Sequence, residues 1–205
     1  MSQHKIGSLD VSRETFERLK RYESLLYKWN PRINLVAKST LADAWNRHFV
    51  DSAQVVQVLS AFPDRWLDLG TGGGFPGLVA AIIAAELAPG CDVTLVESDA
   101  RKSAFLRTVI RETGIRTQVE NKRIEALNPA EADLVSARAL ASIDQLLGFC
   151  ERHLRPEGRA LFLKGERHQA EIEEARKNWH FKVEEVPSQT SDGAVILLIG
   201  EIRRV

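Results

Sequence analysis

From Arg65 onward the chain alternates between short runs of β-forming residues and longer stretches with helical spacing. The strand-like runs are Trp66–Leu69, Val93–Glu97, Thr117–Glu120, Leu134–Ser136 and Ala160–Lys164. Helices are predicted between them at 76–87, 101–113 and 142–154, with another at 167–178. Such alternation packs as a parallel sheet with helices on both faces, because each crossover helix must bury its apolar side on the sheet. Two more strands follow, Phe181–Val186 and Ala194–Ile202. The loop between them, Pro187–Gly193, falls short of the dozen or so residues a parallel crossover needs. The sheet is therefore expected to have seven strands, five of them parallel, and to end in an antiparallel hairpin.

The first 64 residues have a different texture. Residues 12–29 place Phe16, Leu19, Tyr22, Leu26 and Trp29 on one helical stripe, with Ser12 as the N-cap. Asn30-Pro31 is expected to end this helix, because the residue before proline avoids the α region. A second helix is predicted over 41–59, with Trp45, Phe49, Val56 and Leu59 facing inward. The expected organisation is a helical extension, 1–64, packed on an α/β core, 65–205, in one compact monomeric unit.

Composition excludes several classes. The 28 Lys and Arg residues balance 28 Asp and Glu, so no global basic field exists, although local patches do. The longest strongly apolar run, Val79–Ala85, is far short of the roughly 20 residues that span a bilayer. Met1–Asp10 lacks the apolar centre of a signal peptide. Cys91 and Cys150 are the only cysteines, without CxxC or Cys/His spacing, so a cytoplasmic protein without a structural metal is expected.

The segment Leu67-Asp68-Leu69-Gly70-Thr71-Gly72-Gly73-Gly74-Phe75-Pro76-Gly77 joins a predicted strand to a predicted helix. Its glycines permit positive φ and close approach of backbone to a ligand. The helix beyond offers unpaired N–H groups, and Pro76 suits its first turn. Asp68 distinguishes ligands: an anion here hinders a pyrophosphate, whereas it can meet the cationic amino acid end of S-adenosylmethionine. Glu97 ends the next strand, 23 residues past Gly74, where an acid accepts hydrogen bonds from ribose hydroxyls. Loop, acid and terminal hairpin together indicate a class I S-adenosylmethionine-dependent methyltransferase (Rossmann-like) fold. A nicotinamide-dependent oxidoreductase lacks the hairpin and has no use for Asp68. A non-catalytic RNA-binding assembly module would not need the intact loop.

An ordered series of short motifs covers nearly the whole chain: Tyr27-Lys28-Trp29-Asn30, Asn34-Leu35-Val36, Arg47-His48-Phe49-Val50-Asp51-Ser52, the GTGGGFPG loop, Glu97-Ser98, Arg101-Lys102, Phe105-Leu106, Arg123-Ile124-Glu125, Ser136-Ala137-Arg138-Ala139 and Lys164-Gly165. In this the sequence resembles the RsmG (GidB) family, bacterial guanine-N7 methyltransferases of 16S ribosomal RNA. It departs from the family pattern at Ala137, which stands between Ser136 and Arg138. The resemblance implies S-adenosylmethionine as cofactor, and Gly70, Phe75, Ile124, Glu125 and Arg138 as residues that touch it. Asp68, Gly72, Gly74 and Glu97 join that set through the loop argument. Arg138, just past the fourth strand, is also the candidate orienting residue of catalysis.

Guanine N7 has a free lone pair and loses no proton on methylation, so its site needs no general base. The chain accordingly carries no Asn/Asp-Pro-Pro-Tyr/Phe motif of the kind found in exocyclic-amine methyltransferases. His48 and Asp51, at i and i+3, lack the further ligands a metal needs, and a capping or core-polar role is expected for them. Small-subunit ribosomal RNA, free or within a subunit, is the expected partner, with no membrane. Between Arg101 and Arg123 seven basic residues face two acidic ones. Arg101, Arg107, Arg123, Lys164 and Arg167 are the expected phosphate contacts.

Overall fold

The computed structural model describes residues 4–205. A small antiparallel hairpin, β1 (His4–Ile6) and β2 (Leu9–Val11), opens the chain. Its three-residue strands are too short to show a period in the sequence. The long helix α1 (Arg13–Ile33) follows, with Ser12 capping its start by accepting from the Thr15 N–H. Ser12 in turn donates through its N–H and hydroxyl to Glu86. Pro31 does not end α1 as expected; it lies inside the last turn. Its missing donor costs one intrahelical bond, and the end is set instead by Asn34 in the left-handed conformation (φ 49°). Asn34 donates to the Asn30 carbonyl, while the buried Asn30 side chain accepts from the Val36 N–H at 2.8 Å.

The continuous helix expected over 41–59 is replaced by three pieces. These are α2 (Lys38–Leu41), a π-helical segment (Trp45–Val50) and α3 (Asp51–Gln57). The wide π turn puts Phe49 in the core against Tyr22, while His48 and Asp51 both reach Arg138.

The main sheet contains β3 (Arg65–Leu69), β4 (Asp92–Val96), β5 (Gln118–Glu120), β6 (Ala132–Arg138), β7 (Leu154–Lys164), β8 (Trp179–Pro187) and β9 (Val195–Arg204). Their order is β5-β4-β3-β6-β7-β9-β8. The first five are parallel, and β9 runs antiparallel to both β7 and β8. This is the α/β, Rossmann-like sheet the alternation requires, with the antiparallel end the short loop requires. Strand β7 starts earlier than Ala160, carrying Pro156 and Gly158 across an irregularity in its pairing with β6.

The crossover helices are α4 (Gly77–Leu87), α5 (Ala100–Thr113), α6 (Ile143–His153) and α7 (His168–Ala175). α4 has no polar face, because the sheet lies on one side and α1 and α3 on the other. Buried residues of α1, α3, α4, α5 and one face of the sheet form a continuous cluster that includes Leu19, Leu26, Phe49, Ile82, Leu95 and Phe105. The other face packs on α6 and α7 through Leu147, Cys150, Phe162 and Ile172. Among the described residues no helix is long and apolar enough to cross a membrane.

Candidate active site

The loop between β3 and α4 turns through positive φ at Gly70 (59°), Gly72 (57°) and Gly74 (99°). It is held from three directions. The Thr71 N–H donates to the Val96 carbonyl at the end of β4. The Tyr22 hydroxyl, reaching over from α1, donates to the Gly73 carbonyl. Burial raises the Tyr22 pKa well above its ordinary value, which keeps that donor protonated. Glu97 holds the cleft side, one carboxylate oxygen accepting from Gly72 N–H at 2.9 Å and the other from Asp99 N–H at 2.7 Å.

Asp68 is placed differently from the expectation that its carboxylate meets the cofactor's ammonium. It is fully buried beneath the loop, accepting from Gly77 N–H (3.1 Å) and from the Ser136 hydroxyl (2.5 Å). Ser136 itself accepts from the Trp66 indole at 2.8 Å. Burial pushes the Asp68 pKa up to about 6, although the bonds from Ser136 and Gly77 work in the opposite direction. Asp68 thus fastens the start of α4 to β6 and shapes the loop from below. The serine before Ala137 has a structural role as the partner of Asp68.

A cavity of about 830 Å³ opens above the carboxyl ends of β3 and β4. Gly70, Gly72, Glu97, Ile124, Glu125 and Phe149 are among its lining residues. Ile124 and Glu125 lie in a short 3₁₀ turn, Ile124–Ala126. The His153 ring stands within hydrogen-bonding distance, 3.2 Å, of the Ile124 carbonyl. Gly74 and Phe75 do not line this cavity; both lie in the core below it. A Cβ on Gly74 would collide with the Tyr22 hydroxyl. Phe75, 3% exposed, stacks on Tyr22 and packs edge-on against Phe49.

Arg138 lines a second cavity, of about 920 Å³, on the other side of the loop after β6. Its guanidinium donates to Asp51 (3.1 Å), the Arg47 carbonyl (3.3 Å) and His48 Nδ1 (3.0 Å), and sits over the Phe75 ring. Arginine only donates, so His48 Nδ1 is the acceptor and its Nε2–H donates to Thr40 Oγ1 at 2.8 Å. Burial, then Arg138 and Arg47, lower the His48 pKa to about 3, which leaves the ring neutral. The pair His48 and Asp51 is thus a brace for Arg138, and no metal-ligand cluster occurs among the described residues.

The two cavities share one wall, Ala139, Leu140 and Ala141. Ala139 is left-handed (φ 51°), and Leu140 lies directly over Gly70, whose hypothetical Cβ would be 2.5 Å from Leu140 Cδ1. Lys164 was expected to contact phosphate. Its side chain is only 8% exposed and donates to the Ala141 carbonyl and to Glu171, both at 2.7 Å. Lys164 therefore anchors the shared wall. Arg101, Arg107, Arg123 and Arg167 are exposed, although Arg101 pairs with Asp99 and Arg107 donates to the Val119 carbonyl. Tyr22, Leu140 and Thr190 gained no role from the sequence. Tyr22 read as one more residue of a core stripe, and nothing local marks the other two.

The model of the family described as rRNA small subunit methyltransferase G (GidB) matches residues 15–195. The chain belongs to the rRNA small subunit methyltransferase G family. It is 54% identical over 199 residues to the ribosomal RNA small subunit methyltransferase G of Ruegeria pomeroyi, covering 97% of each chain. With the protein of that name from Cereibacter sphaeroides it shares 46% identity over 205 residues, the full length of both. Among solved structures it resembles a ribosomal protein L11 methylase from Lactobacillus delbrueckii subsp. bulgaricus. That match has a TM-score of 0.59 at 17% identity, over 75% of this chain and 78% of the other, and concerns the fold. For this member of the methyltransferase G family, the glycine loop, Glu97 and the Ile124–Glu125 turn fall together on one cavity, and Arg138 falls on its neighbour.

Proposed function

We propose that this chain is an S-adenosylmethionine-dependent methyltransferase acting on N7 of a guanosine in 16S, small-subunit, ribosomal RNA. The observation that carries this reading is the first cavity, built from the glycine loop, Glu97 and the Ile124–Glu125 turn in a chain of this family. The residues present fit the cofactor. One Glu97 oxygen accepts from Gly72 N–H and the other from Asp99 N–H, and each keeps an acceptor site for a ribose hydroxyl. Ile124 and Phe149 offer apolar surface to an adenine, and Glu125 offers a polar edge. A Cβ at Gly72 would meet nothing nearer than 3.8 Å, so the backbone there is open to close approach.

S-adenosylmethionine held by the glycine loop, Glu97 and the Ile124–Glu125 turn would supply an electrophilic methyl group, and the guanine N7 lone pair would be its acceptor. The protein's part is alignment, since an in-line transfer needs the reacting atoms about 3–3.5 Å apart. Arg138 uses three of its five N–H donors within the protein and keeps two. Those two suit the cofactor's carboxylate or guanine O6, and not N7, where a cation would oppose the developing charge. His48 and Asp51 are both engaged by Arg138, which suits a reaction that removes no proton.

Mass mapping of 16S RNA methylated by the purified protein tests the reading directly. 7-Methylguanosine supports it; a different methylated nucleoside, or none, overturns it. Calorimetry adds a second check, in which tighter binding of a nicotinamide dinucleotide than of S-adenosylmethionine would contradict the assignment.

The remaining exposed cations define an RNA surface around the cleft. Arg167 lines the second cavity, and Lys38 follows Ala37 on its N-terminal wall. Each true phosphate contact adds about −0.7 to the slope of log affinity against log salt on single-stranded RNA. Arg167→Ala and Lys38→Ala, measured separately, are each expected to flatten that slope by about this amount. An unchanged slope in both variants would place the RNA on another face.

A further inference from the structure

We infer that the second cavity, enclosed by the N-terminal helices, the end of β6 and the β8–β9 loop, receives the target base, splayed out of its RNA strand. The inference deepens the proposed function and rests on it. If the cofactor occupies the first cavity, the space next to it is the second cavity, since Ala139, Leu140 and Ala141 line both. Its volume, about 920 Å³, lies within the range of small-molecule sites.

The lining suits a flat heteroaromatic with polar edges. Leu35, Val36, Leu140 and Ile196 supply apolar surface, and Thr190 and Ser191 supply hydroxyls. The two far walls are tied to each other. Asp51 accepts from Thr190 Oγ1 at 2.8 Å, and the Gln54 side chain accepts from the Gln189 N–H at 2.7 Å. The β8–β9 loop is thereby held against α3. Arg167 on one wall and Lys38 beside the other place cations where the strand flanking an extruded base would run. Sequence-specific RNA recognition generally targets bases that are already unstacked or can be splayed out, as this geometry requires.

The test has two parts. A 16S fragment carrying 2-aminopurine at the methylated position, bound with S-adenosylhomocysteine, reports unstacking as a rise in fluorescence. The wild-type protein is expected to produce that rise, and Ala194→Phe, which fills the cavity from the hairpin side, to lose it. In parallel, Ala194→Phe and Ala37→Phe, on opposite walls, are expected to lower methyl transfer about a hundredfold. Their affinity for S-adenosylmethionine should stay within about threefold of wild type, less than 1 kcal/mol. Two variants on separate elements keep the inference testable if one of them folds poorly. An absent fluorescence rise with a wild-type protein that still makes 7-methylguanosine overturns the base pocket and leaves the functional reading standing. Normal transfer by both filled variants overturns it equally. A wild-type protein that methylates no guanosine overturns both.

Discussion

Gly74→Val is expected to prevent stable folding, whereas Gly72→Val, two residues away, is expected to fold and fail to bind S-adenosylmethionine. The two glycines share positive φ, at 99° and 57°, so any side chain is strained at either position. Their surroundings differ. A Cβ on Gly74 runs into the Tyr22 hydroxyl and comes within 3.0 Å of Leu78 and 3.1 Å of Leu106. Backbone strain of about 1–3 kcal/mol then adds to overpacking of about 1–3 kcal/mol. The sum takes a large part of the 5–15 kcal/mol typical of a whole domain. On Gly72 the nearest atom is 3.8 Å away, so strain alone opposes folding, but the branched side chain projects where the ligand's backbone contact must form. Thermal melting separates the two variants, and calorimetry on Gly72→Val completes the test. Wild-type cofactor affinity in Gly72→Val would show that the loop is not the cofactor cradle.

The buried carboxylate of Asp68 is expected to give this protein a stability that falls as pH rises from about 4 to about 6. Burial raises its pKa from 3.8 to about 6 in the folded chain, so between those values the native state holds a proton the unfolded chain has released. Stability from that proton is fully present below the unfolded value and is lost as pH rises through the folded one. A shift of this size corresponds to a loss on the order of 3 kcal/mol. Asp68→Asn removes the titration and leaves other groups in place. The stability difference, wild type minus variant, is therefore expected to shrink by a similar amount between pH 4 and pH 7 in denaturant titrations. A difference independent of pH would mean that Asp68 is ionised throughout, held by Ser136 and Gly77. Asp68→Ala is expected to be worse than Asp68→Asn at every pH. It strands the Gly77 N–H and the Ser136 hydroxyl, each buried donor costing about 1–3 kcal/mol when left unpaired.

Alternation of short β-forming runs with longer stretches of helical spacing determined the core sheet, because crossover helices between parallel strands must bury their apolar sides on it. The length of Pro187–Gly193 determined the antiparallel end, because seven residues cannot cross over. Gly72 and Glu97, which line the first cavity, were legible because the loop and the strand end beside it form a local motif, whereas Gly70, Ile124 and Glu125 came through the family resemblance. Boundaries read from single residues fared worse. Pro31 was absorbed into a helix whose end Asn34 sets.

Side-chain direction and distant partners were decided only by the tertiary structure. Asp68 carries the right charge beside the right loop, yet it points down, because the Gly77 N–H and Ser136 compete for it from below. Lys164 has the charge of a phosphate contact, but Glu171 and the Ala141 carbonyl take up its donors. Arg138 is held by His48 and Asp51, about 90 residues away in the chain, and the wall of its cavity is closed by Thr190 from the last hairpin. The sequence by itself determined the sheet, its antiparallel end and the glycine loop, since these follow from local periodicity and turn chemistry. Only the tertiary structure decided which charges are spent inside the protein and where the second cavity lies, since both depend on contacts between segments that no local pattern encodes.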